Sequence, residues 1–534
     1  MRTGSRAIVW LAAAALAAPA GAVRFYDDDP LEQEPRPRRV ESARRRKIDD
    51  LYDLMRHTLA LPGEHQTKER VIPARAVNML GEPMDGAWYQ ARHWRRPLSM
   101  EELVRGPGAG NPPDPSGPWS VIAGKNQGVT PGFRIRDSRG VRYVLKFDPV
   151  TNPEMATAAD VITSRFFYAL GYHVPEYYLV SFRRDQLIID PKAKIPDERG
   201  HDRPMKSRDI DEILMKVPRQ ADGTYRAVAS LFLSGQDLGP FRYYGTRADD
   251  PNDIVPHEHR RDLRGLFVFC AWLGHDDSRA INTLDMLVEE NGLRYVKHHL
   301  IDFGSTLGSA STKSNSARSG NTYLFSWKPA IKEFLSLGLY VPRWARYRYP
   351  DIPAVGKFQA DIFDPEAFSP EYPNPAFANR LPDDNFWAAR QVMEFTDEQI
   401  AAMVKTGQYS DPRATDLITR VLIERRNRIG RRYFPMVLPL DRFAVRGGEL
   451  RFEDLAVKHR LAAAREYQWE WSEFDNEREQ HAPLPGEASA RIPRSRAKYL
   501  AAKIAAGDPR KTVRVYLRAQ GGGGWQVAGI ERTW

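Results

Sequence analysis

Two short polar loops, held apart by a hairpin, constrain the fold of this 534-residue chain more than any other feature of the sequence. The first loop follows an apolar run that ends at Gly274, and it carries three polar residues at a fixed spacing: His275, Asp277 and Asn282. Strand-like residues 283–288 and 293–301 predict a hairpin, because the Asn-Gly pair between them favours a tight turn. Asp302-Phe303-Gly304 follows directly as the second loop. The sequence therefore predicts a buried helix, a polar loop, a short hairpin and a second polar loop in succession.

The residue types in these loops are those that phosphoryl transfer requires. Asp277 could accept a proton, Asn282 could turn an amide toward a metal ion, and Asp302 could chelate Mg²⁺ between phosphates. Each motif taken alone also fits a polar loop that caps its neighbours. The adjacent Asp276 leaves open which of the two acids faces a substrate.

A strand lysine lies upstream of these loops. Residues 133–147 alternate in polarity on either side of a turn, which predicts a hairpin, and residues 153–170 predict a helix with one apolar face. Lys146 ends the hairpin just before that helix. A lone strand lysine is normally a solvated edge residue, but its place before a helix-borne acid favours a function. Glu154 could pair with Lys146 and fix its ammonium, and Asp160 is the alternative.

A turn-prone loop over residues 124–132 precedes Lys146 and lies between two predicted strands. Gly128 and Gly132 would let backbone N–H groups approach phosphate oxygens, with Lys125 as a nearby cation. Glycine in such a loop usually just turns the chain. The loop therefore gains meaning only beside the other motifs, and with them we predict Lys125, Gly128 and Gly132 as nucleotide contacts.

Between residues 119 and 434 the ordered motifs resemble the protein-kinase-like superfamily. The resemblance is to its atypical branches: spore-coat and secretory-type kinases, lipid kinases and toxin-type serine kinases. It implies an α+β, bilobal fold with a β-rich N-lobe and a helical C-lobe, and ATP or another nucleotide with Mg²⁺ or Mn²⁺ in the cleft. The implied roles are phosphate contact by Lys146, support of that lysine by Glu154, a catalytic base at Asp277, and metal binding by Asn282 and Asp302.

Three departures put typical Ser/Thr protein kinase activity in doubt. A full G-x-G-x-x-G is missing, Asp276 replaces the usual arginine, and no A-P-E motif follows the second loop. The phosphoryl acceptor stays open as a hydroxyl of a protein, lipid or glycan. A secreted pseudokinase that acts as a binding or scaffold module is the chief alternative, and an envelope-associated structural protein is a third.

The first 22 residues carry a targeting pattern. A basic start, an apolar run over residues 7–18 and the small residues Ala20-Gly21-Ala22 predict a signal peptide cleaved after Ala22. The apolar run is shorter than the roughly 20 residues that span a bilayer, which favours export over anchoring. Cys270 is the chain's single cysteine, so no internal disulfide can form, and its apolar neighbours predict a buried, inert thiol.

The formal charge is +10, and much of the excess lies in a basic stretch over residues 36–47. A solvated, mobile segment is the simplest interpretation, and peripheral contact with an anionic envelope surface is the alternative. Aromatic residues do not interleave with these arginines and no groove-reading motif follows, so we exclude nucleic acid as a partner.

Composition along the chain predicts its organisation. The Gly- and Pro-rich residues 105–118 break periodic structure and predict a linker. Residues 177–182 and 186–189 predict a second hairpin, and residues 494–506 a helix in a small C-terminal α/β appendage. The predicted domains are a signal peptide (1–22), an N-terminal extension with linker (23–118), an N-lobe (119–235), a C-lobe (236–438) and the appendage (439–534).

Overall fold

The computed structural model describes residues 23–125, 131–197, 200–326, 331, 334–336, 339–486 and 488–534. The predicted signal peptide and Gly128 lie outside these residues, as does the side chain of Lys125. The helices of the described part are α1 (Asp50–Ala60), α2 (Met100–Arg105), α3 (Met155–Ala169), α4 (Ser207–Leu214), α5 (Arg261–Leu273), α6 (Arg343–Arg346), α7 (Pro375–Ala378), α8 (Pro382–Met393), α9 (Asp397–Lys405), α10 (Pro412–Tyr433) and α11 (Leu455–Lys458).

The strands fall into four sheets. In chain order they are β1 (Trp119–Lys125), β2 (Gly132–Arg136), β3 (Arg142–Lys146), β4 (Tyr177–Phe182), β5 (Leu187–Pro196), β6 (Asp202–Pro204), β7 (Tyr225–Leu231), β8 (Gln236–Asp237), β9 (Thr283–Glu290), β10 (Leu293–Leu300), β11 (Leu440–Arg446), β12 (Glu449–Asp454), β13 (Gln468–Asp475), β14 (Gln480–Pro483), β15 (Tyr499–Ala505), β16 (Thr512–Ala519) and β17 (Trp525–Arg532).

A seven-stranded sheet in the order β4-β7-β3-β2-β1-β5-β6 forms the N-lobe. The predicted hairpin is confirmed as β2 and β3, which pair antiparallel, and α3 follows it as predicted. Alternate residues of these strands, such as Phe133 and Leu145, are fully buried in the core of the lobe. The second predicted hairpin is wrong, because β4 pairs with β7 while β5 pairs in parallel with β1. An alternating pattern indicates which face of a strand is buried but not which strand it pairs with. Here the pairing is set by contacts with strands that are distant in the sequence.

The C-lobe is helical and is built around α5. This helix is buried on nearly all sides and packs against α8 and α10. It ends where the sequence predicts, at Gly274, whose φ of 66° suits glycine best. Cys270 is a free, fully buried thiol, as expected. The hairpin after the first polar loop is confirmed as β9 and β10, turning through Asn291 and Gly292, both at positive φ.

The basic stretch is packed rather than mobile, which corrects the simplest expectation from its charge. Val40 and Ala43 are buried between the arginines, in a cluster with Leu287 and Val296 of the C-lobe hairpin. The Val40 backbone N–H donates to the Arg294 carbonyl at 2.9 Å. Two small apolar residues among the basic ones therefore hold the segment on the C-lobe, while most of its charged side chains stay exposed.

A five-stranded antiparallel sheet in the order β14-β13-β15-β16-β17 dominates the C-terminal region. The helix predicted over residues 494–506 is wrong, since residues 499–505 form the central strand β15. Alanine and lysine favour a helix in isolation, but pairing on both sides with β13 and β16 overrides that preference. Phe25 of the N-terminal extension packs on Tyr499 and Tyr516 of this sheet, so the two ends of the described chain meet.

The architecture is α+β and bilobal, as the sequence predicts, with its largest core in the C-lobe. Residues of the extension, including Trp88 and Leu103, belong to that same core. Across the described residues, every helix is too short or too polar to cross a bilayer.

Candidate functional site

Lys146 is the residue around which the site is organised. It ends β3 on the face opposite the buried Leu145, so its side chain leaves the N-lobe core toward the C-lobe. The ammonium Nζ lies 2.7 Å from Asp302 Oδ1 and 3.4 Å from Asp160 Oδ2. Burial alone would lower the pKa of Lys146, but the two carboxylates outweigh it and raise that pKa above its usual value. The lysine is therefore held as a cation.

Asp160 joins the lysine to the second polar loop. It lies on the inward face of α3 and is 1% exposed. Its Oδ1 accepts a hydrogen bond from the Phe303 backbone N–H at 2.8 Å, while Oδ2 faces Lys146. Burial raises the pKa of Asp160 to about 6, because the opposing effect of the Lys146 ammonium is smaller. One carboxylate thus fixes both Lys146 and the backbone next to Asp302.

Glu154 does not hold Lys146, which corrects the first of the two predicted pairings. It precedes the first residue of α3 at a φ of 69°. Its Oε2 accepts hydrogen bonds from the backbone N–H and the hydroxyl of Ser410, at 2.8 and 3.1 Å. Asp160, the alternative, is the helix-borne acid, because its place further along α3 turns it toward β3.

Asp302 adopts a backbone conformation that is uncommon for a non-glycine residue, with φ of 62°. The surroundings enforce it: the Asp302 backbone N–H donates to the Tyr177 hydroxyl at 3.1 Å, and Phe303 is completely buried. The Phe303 ring packs against Phe167 and His275, with centroids 5.1 and 6.1 Å away. Packing of Phe303 thereby aims the Asp302 carboxylate out of the loop, and its side chain is 46% exposed. Strain of this kind, held by neighbours, is typical of functional loops.

A cavity of about 520 Å³ opens between the lobes, and Lys146, Asp160 and Asp302 lie on its wall. Gly132 also lines it, and a Cβ there would lie 2.5 Å from the Leu145 carbonyl oxygen. Glycine is therefore required for β2 and β3 to approach this closely. The predicted nucleotide contact Gly128 and the Lys125 side chain lie outside the described residues.

Among the charged residues of the cavity wall, sequence reasoning missed Lys194 and Asp202. They come from β5 and β6, which reach the cavity because β5 pairs with β1. That parallel pairing leaves no local pattern in the sequence. Alternation over residues 187–196 was the available signal, and it could place a strand but not its partner.

The first polar loop is closed by its own residues. Asn282 Nδ2 donates to the Asp277 carbonyl at 2.7 Å, and Arg279 forms an ion pair with the Asp277 carboxylate. Burial raises the pKa of Asp277 above its usual range, although Arg279 opposes this. Neither Asp277 nor Asn282 is among the residues of the cavity wall, but the Asp277 carboxylate interacts electrostatically with Asp302. The first polar loop therefore lies near the cavity but does not form part of its wall.

The neighbouring Asp276 is the more enclosed of the two acids. Its carboxylate accepts hydrogen bonds from the Ser319 hydroxyl and, at 3.3 Å, from Asn315 Nδ2. Burial raises its pKa to about 6. These contacts direct Asp276 toward the segment after the second loop, whereas the Asp277 carboxylate interacts electrostatically with Asp302 of the cavity wall.

Arg279 ties the first loop to two distant parts of the chain. Its Nη1 lies 2.5 Å from Asp50 Oδ2 of α1 and 3.1 Å from Glu371 Oε2. Burial, and then the nearby Asp277, raise the pKa of Glu371 to about 7. Sequence reasoning missed Asp50 and Glu371, because both lie more than 90 positions from Arg279 in the chain and neither belongs to a motif.

No protein-family model matches the sequence, and no curated protein matches it. A search of solved structures returned a crystal structure of the Golgi casein kinase with Mn/ADP bound, at 8% identity and a TM-score of 0.29, covering 62% of this chain and 74% of that one. A second crystal structure of the Golgi casein kinase has 9% identity, the same coverage and a TM-score of 0.28. A co-crystal of the pseudokinase drought responsive inactive kinase 1 with ENMD-2076 has 10% identity and a TM-score of 0.15, covering 62% of this chain and 96% of that one.

Similarities this low carry no argument about the chemistry of this chain. Its own geometry does: a β-rich lobe presents Lys146, a helical lobe presents a polar loop and Asp302-Phe303-Gly304, and a cleft lies between them. The described residues therefore form an α+β, bilobal architecture with a cleft between the lobes, as the sequence predicts.

Proposed function

We propose that this chain is an exported, kinase-like phosphotransferase that binds a nucleoside triphosphate with a divalent metal ion in the cleft. The phosphoryl group would pass to a hydroxyl of a protein, lipid or glycan. One observation carries the proposal: a lysine held as a cation by two carboxylates, at the wall of an interlobe cavity. A buried cation beside a half-exposed carboxylate suits a polyphosphate with a bound metal ion.

The residues present fit such a metal ion. Within the described part of the chain, His, Cys, Asp and Glu side chains form no group of three that could hold a metal by themselves. Mg²⁺ is usually held by one or two carboxylates together with the phosphates of the substrate. Asp302, with its carboxylate half exposed at the cavity, is the ligand that this pattern requires, and Asn282 would add an amide oxygen. The bound metal would neutralise charge that develops on the transferred group.

The protein side chains would divide the remaining work. Lys146 would bind the α- and β-phosphates, and Asp160 would keep it oriented by holding both its ammonium and the Phe303 backbone. Asp277 would accept the proton of the attacking hydroxyl. Its pKa, raised by burial, makes it a better acceptor than an exposed aspartate. Gly132 would let the backbone of β2 approach the nucleotide.

Export remains part of the proposal on the strength of residues 1–22, whose composition fits a signal peptide cleaved after Ala22. The catalytic compartment would then be extracytoplasmic. Whether a nucleotide donor is present in that compartment is separate from whether the cleft can bind and use one. Assays on purified protein test binding and use directly.

A pseudokinase is the second candidate, and one contact favours it. Arg279 forms an ion pair with the Asp277 carboxylate, so the group expected to accept the proton already has a cationic partner. A protein that binds nucleotide only to stabilise a scaffold needs Lys146 and Asp302 but not a free Asp277. The two candidates therefore predict the same ligand and a different fate for it.

Nucleotide-dependent thermal shift tests the shared claim. Purified protein with ATP or ADP and Mg²⁺ or Mn²⁺ should gain about 2.7 kcal/mol of stability at a ligand concentration of about 100 times the dissociation constant. Asp302→Ala should abolish the gain. Release or transfer of the γ-phosphoryl group, lost in Asp277→Asn, then identifies a phosphotransferase. Binding without any turnover identifies a pseudokinase, and no shift with any nucleotide contradicts both.

A further inference from the structure

The face of the N-lobe sheet that looks into the interlobe cavity carries two cations besides Lys146. Arg134 of β2 and Lys194 of β5 both line the cavity, and both side chains are exposed. The neighbours of Arg134 along β2, Phe133 and Ile135, are buried in the core of the lobe, so Arg134 leaves the opposite face. Strand β2 is paired on both sides, with β1 and β3. Solvation at a sheet edge, the usual setting of a charged strand residue, therefore does not account for Arg134.

The two cations lie in one row across the sheet. In the registers of the paired strands, Lys194 is opposite Ala123 of β1, and Ala123 is opposite Arg134. Neighbouring strands are about 4.8 Å apart, so the Cα atoms of Arg134 and Lys194 are about 10 Å apart. Only the methyl group of Ala123, which also lines the cavity, lies between them in this row. Both side chains are long enough to reach one phosphate or carboxylate held over Ala123.

Neither cation has a counter-charge from the protein. Within the part of the chain that the structure describes, Arg134 and Lys194 form no ion pair and no side-chain hydrogen bond. Two acids of the same cavity wall, Asp160 and Asp302, contact Lys146 instead. A ligand that fills the cavity displaces water from the cations of its wall, and a desolvated charge is costly unless an opposite charge replaces the water. The ligand that suits this row therefore carries an anion there.

We propose that Arg134 and Lys194 form a second anion site in the cavity, which takes a phosphate or carboxylate separate from the phosphates at Lys146. Lys146 is opposite Gly132, two residues before Arg134, so the Cα atoms of Lys146 and Arg134 are about 7–8 Å apart. The two sites are thus adjacent but distinct. Asp202, a third acid of the cavity wall, forms no ion pair with either cation in the described part of the chain and leaves the row positive.

Two molecules could supply the anion. One is the phosphoryl acceptor, if it carries a phosphate or carboxylate near its hydroxyl. The other is a nucleotide with an additional phosphate on its ribose, since the charges of an ordinary nucleotide all lie at its 5′ end. The choice between them rests on the proposed function, whereas the anion site itself does not, because anion binding can be measured without nucleotide.

Titration of the full chain with inorganic phosphate at constant ionic strength, followed by thermal shift, tests the site. The double variant Arg134→Gln, Lys194→Gln should bind phosphate about tenfold more weakly than the wild type, or not at all. Both side chains are exposed, and an unchanged melting temperature without phosphate verifies the fold. The matched control is Arg136→Gln, Lys192→Gln, which removes the same number of positive charges from the same two strands, outside the cavity wall. It should bind phosphate as the wild type does.

Nucleotide separates the two sites and identifies the source of the anion. With saturating ADP and Mg²⁺, the wild type should still bind phosphate. Calorimetric titration then compares AMP with adenosine 3′,5′-bisphosphate. Tighter binding of the bisphosphate that requires Arg134 and Lys194 assigns the anion to the nucleotide, and equal binding of the two assigns it to the acceptor.

The proposal is overturned if the wild type does not bind phosphate, or if the double variant binds it as well as the wild type does. It is also overturned if the control variant loses as much affinity, because net charge would then explain the effect, or if ADP abolishes phosphate binding, because the two sites would then be one. A wild type that binds phosphate but no nucleotide would contradict the proposed function and leave the second anion site standing.

Discussion

Lys146 Nζ lies 2.7 Å from Asp302 Oδ1, although the two residues are 156 positions apart in the chain. One is the last residue of a strand in the β-rich lobe, and the other begins a loop of the helical lobe. Both residues line the interlobe cavity. Because Asp160 contacts both Lys146 and the backbone N–H of Phe303, which follows Asp302, the three charged groups form one cluster whose parts can be tested separately.

Replacing Lys146 by methionine should remove nucleotide binding. The variant keeps the length of the side chain but leaves the buried Asp160 without its cation, which costs on the order of 3 kcal/mol. Denaturant unfolding measures that loss, and thermal shift with nucleotide and metal measures the loss of ligand binding. Lys192→Met, an exposed lysine on β5, is the control and should keep both the stability and the shift. Nucleotide binding by Lys146→Met would contradict the role given to this lysine.

The two acids of the α3 region should behave differently. Asp160→Asn retains an acceptor for the Phe303 N–H but loses the charge that holds Lys146, so nucleotide affinity should fall about tenfold or more. Glu154→Gln retains the contacts to Ser410 and should leave affinity unchanged. Calorimetric titration of the two variants compares them directly. Equal losses would show that both acids support the lysine.

Gly132→Ala should disturb the cavity wall through a steric clash. A Cβ at this position would lie 2.5 Å from the Leu145 carbonyl oxygen, so β2 and β3 must separate. Such strain costs about 1–3 kcal/mol, and it should also weaken nucleotide binding. The control is Gly521→Ala, where a Cβ would meet nothing within 4 Å. Urea unfolding measures the loss of stability, and thermal shift measures the loss of nucleotide binding. If Gly132→Ala changes neither, the β2–β3 hairpin can accommodate the added methyl group.

Glu371 should make stability depend on pH in a direction fixed by its pKa. Burial raises that pKa from 4.5 to about 7, so the folded chain binds this proton more tightly than the unfolded chain. Any stability gained from protonation is present at low pH and is lost as the pH rises from 4.5 through 7. Glu371→Gln removes this dependence. The free energy of unfolding of Glu371→Gln, relative to that of the wild type, should therefore increase by about 2 kcal/mol from pH 5 to pH 8. Denaturant unfolding at each pH measures this difference. A constant or falling difference would contradict the shift.

Much of the fold followed from local patterns. Alternation gave the β2–β3 hairpin, apolar spacing gave α3 and α5, and Asn291-Gly292 gave the turn between β9 and β10. These features are set by neighbours within a few residues, so sequence carries them. The pairing of β4 with β7 and the strand at residues 499–505 were set by distant partners, and local propensity favoured other structures there.

The same distinction holds in the site. Lys146 and Asp302 were recognisable because their residue types and order are restricted by chemistry. The choice of Asp160 over Glu154 depended on the rotation of α3 relative to β3, which no local pattern records. The ion pair of Arg279 with Asp50 could not be predicted for a different reason. The chain contains many acidic residues, and only the packing of α1 determines that Asp50 is the one that pairs with Arg279.

Calorimetric titration of the purified chain with ADP in the presence and absence of Mn²⁺ tests the central claim most directly. The wild type should bind nucleotide more tightly with the metal than without it, and Asp302→Asn should lose that metal dependence while remaining folded. Binding that ignores both the metal and the substitution would contradict the account, and so would the absence of any binding by the wild type.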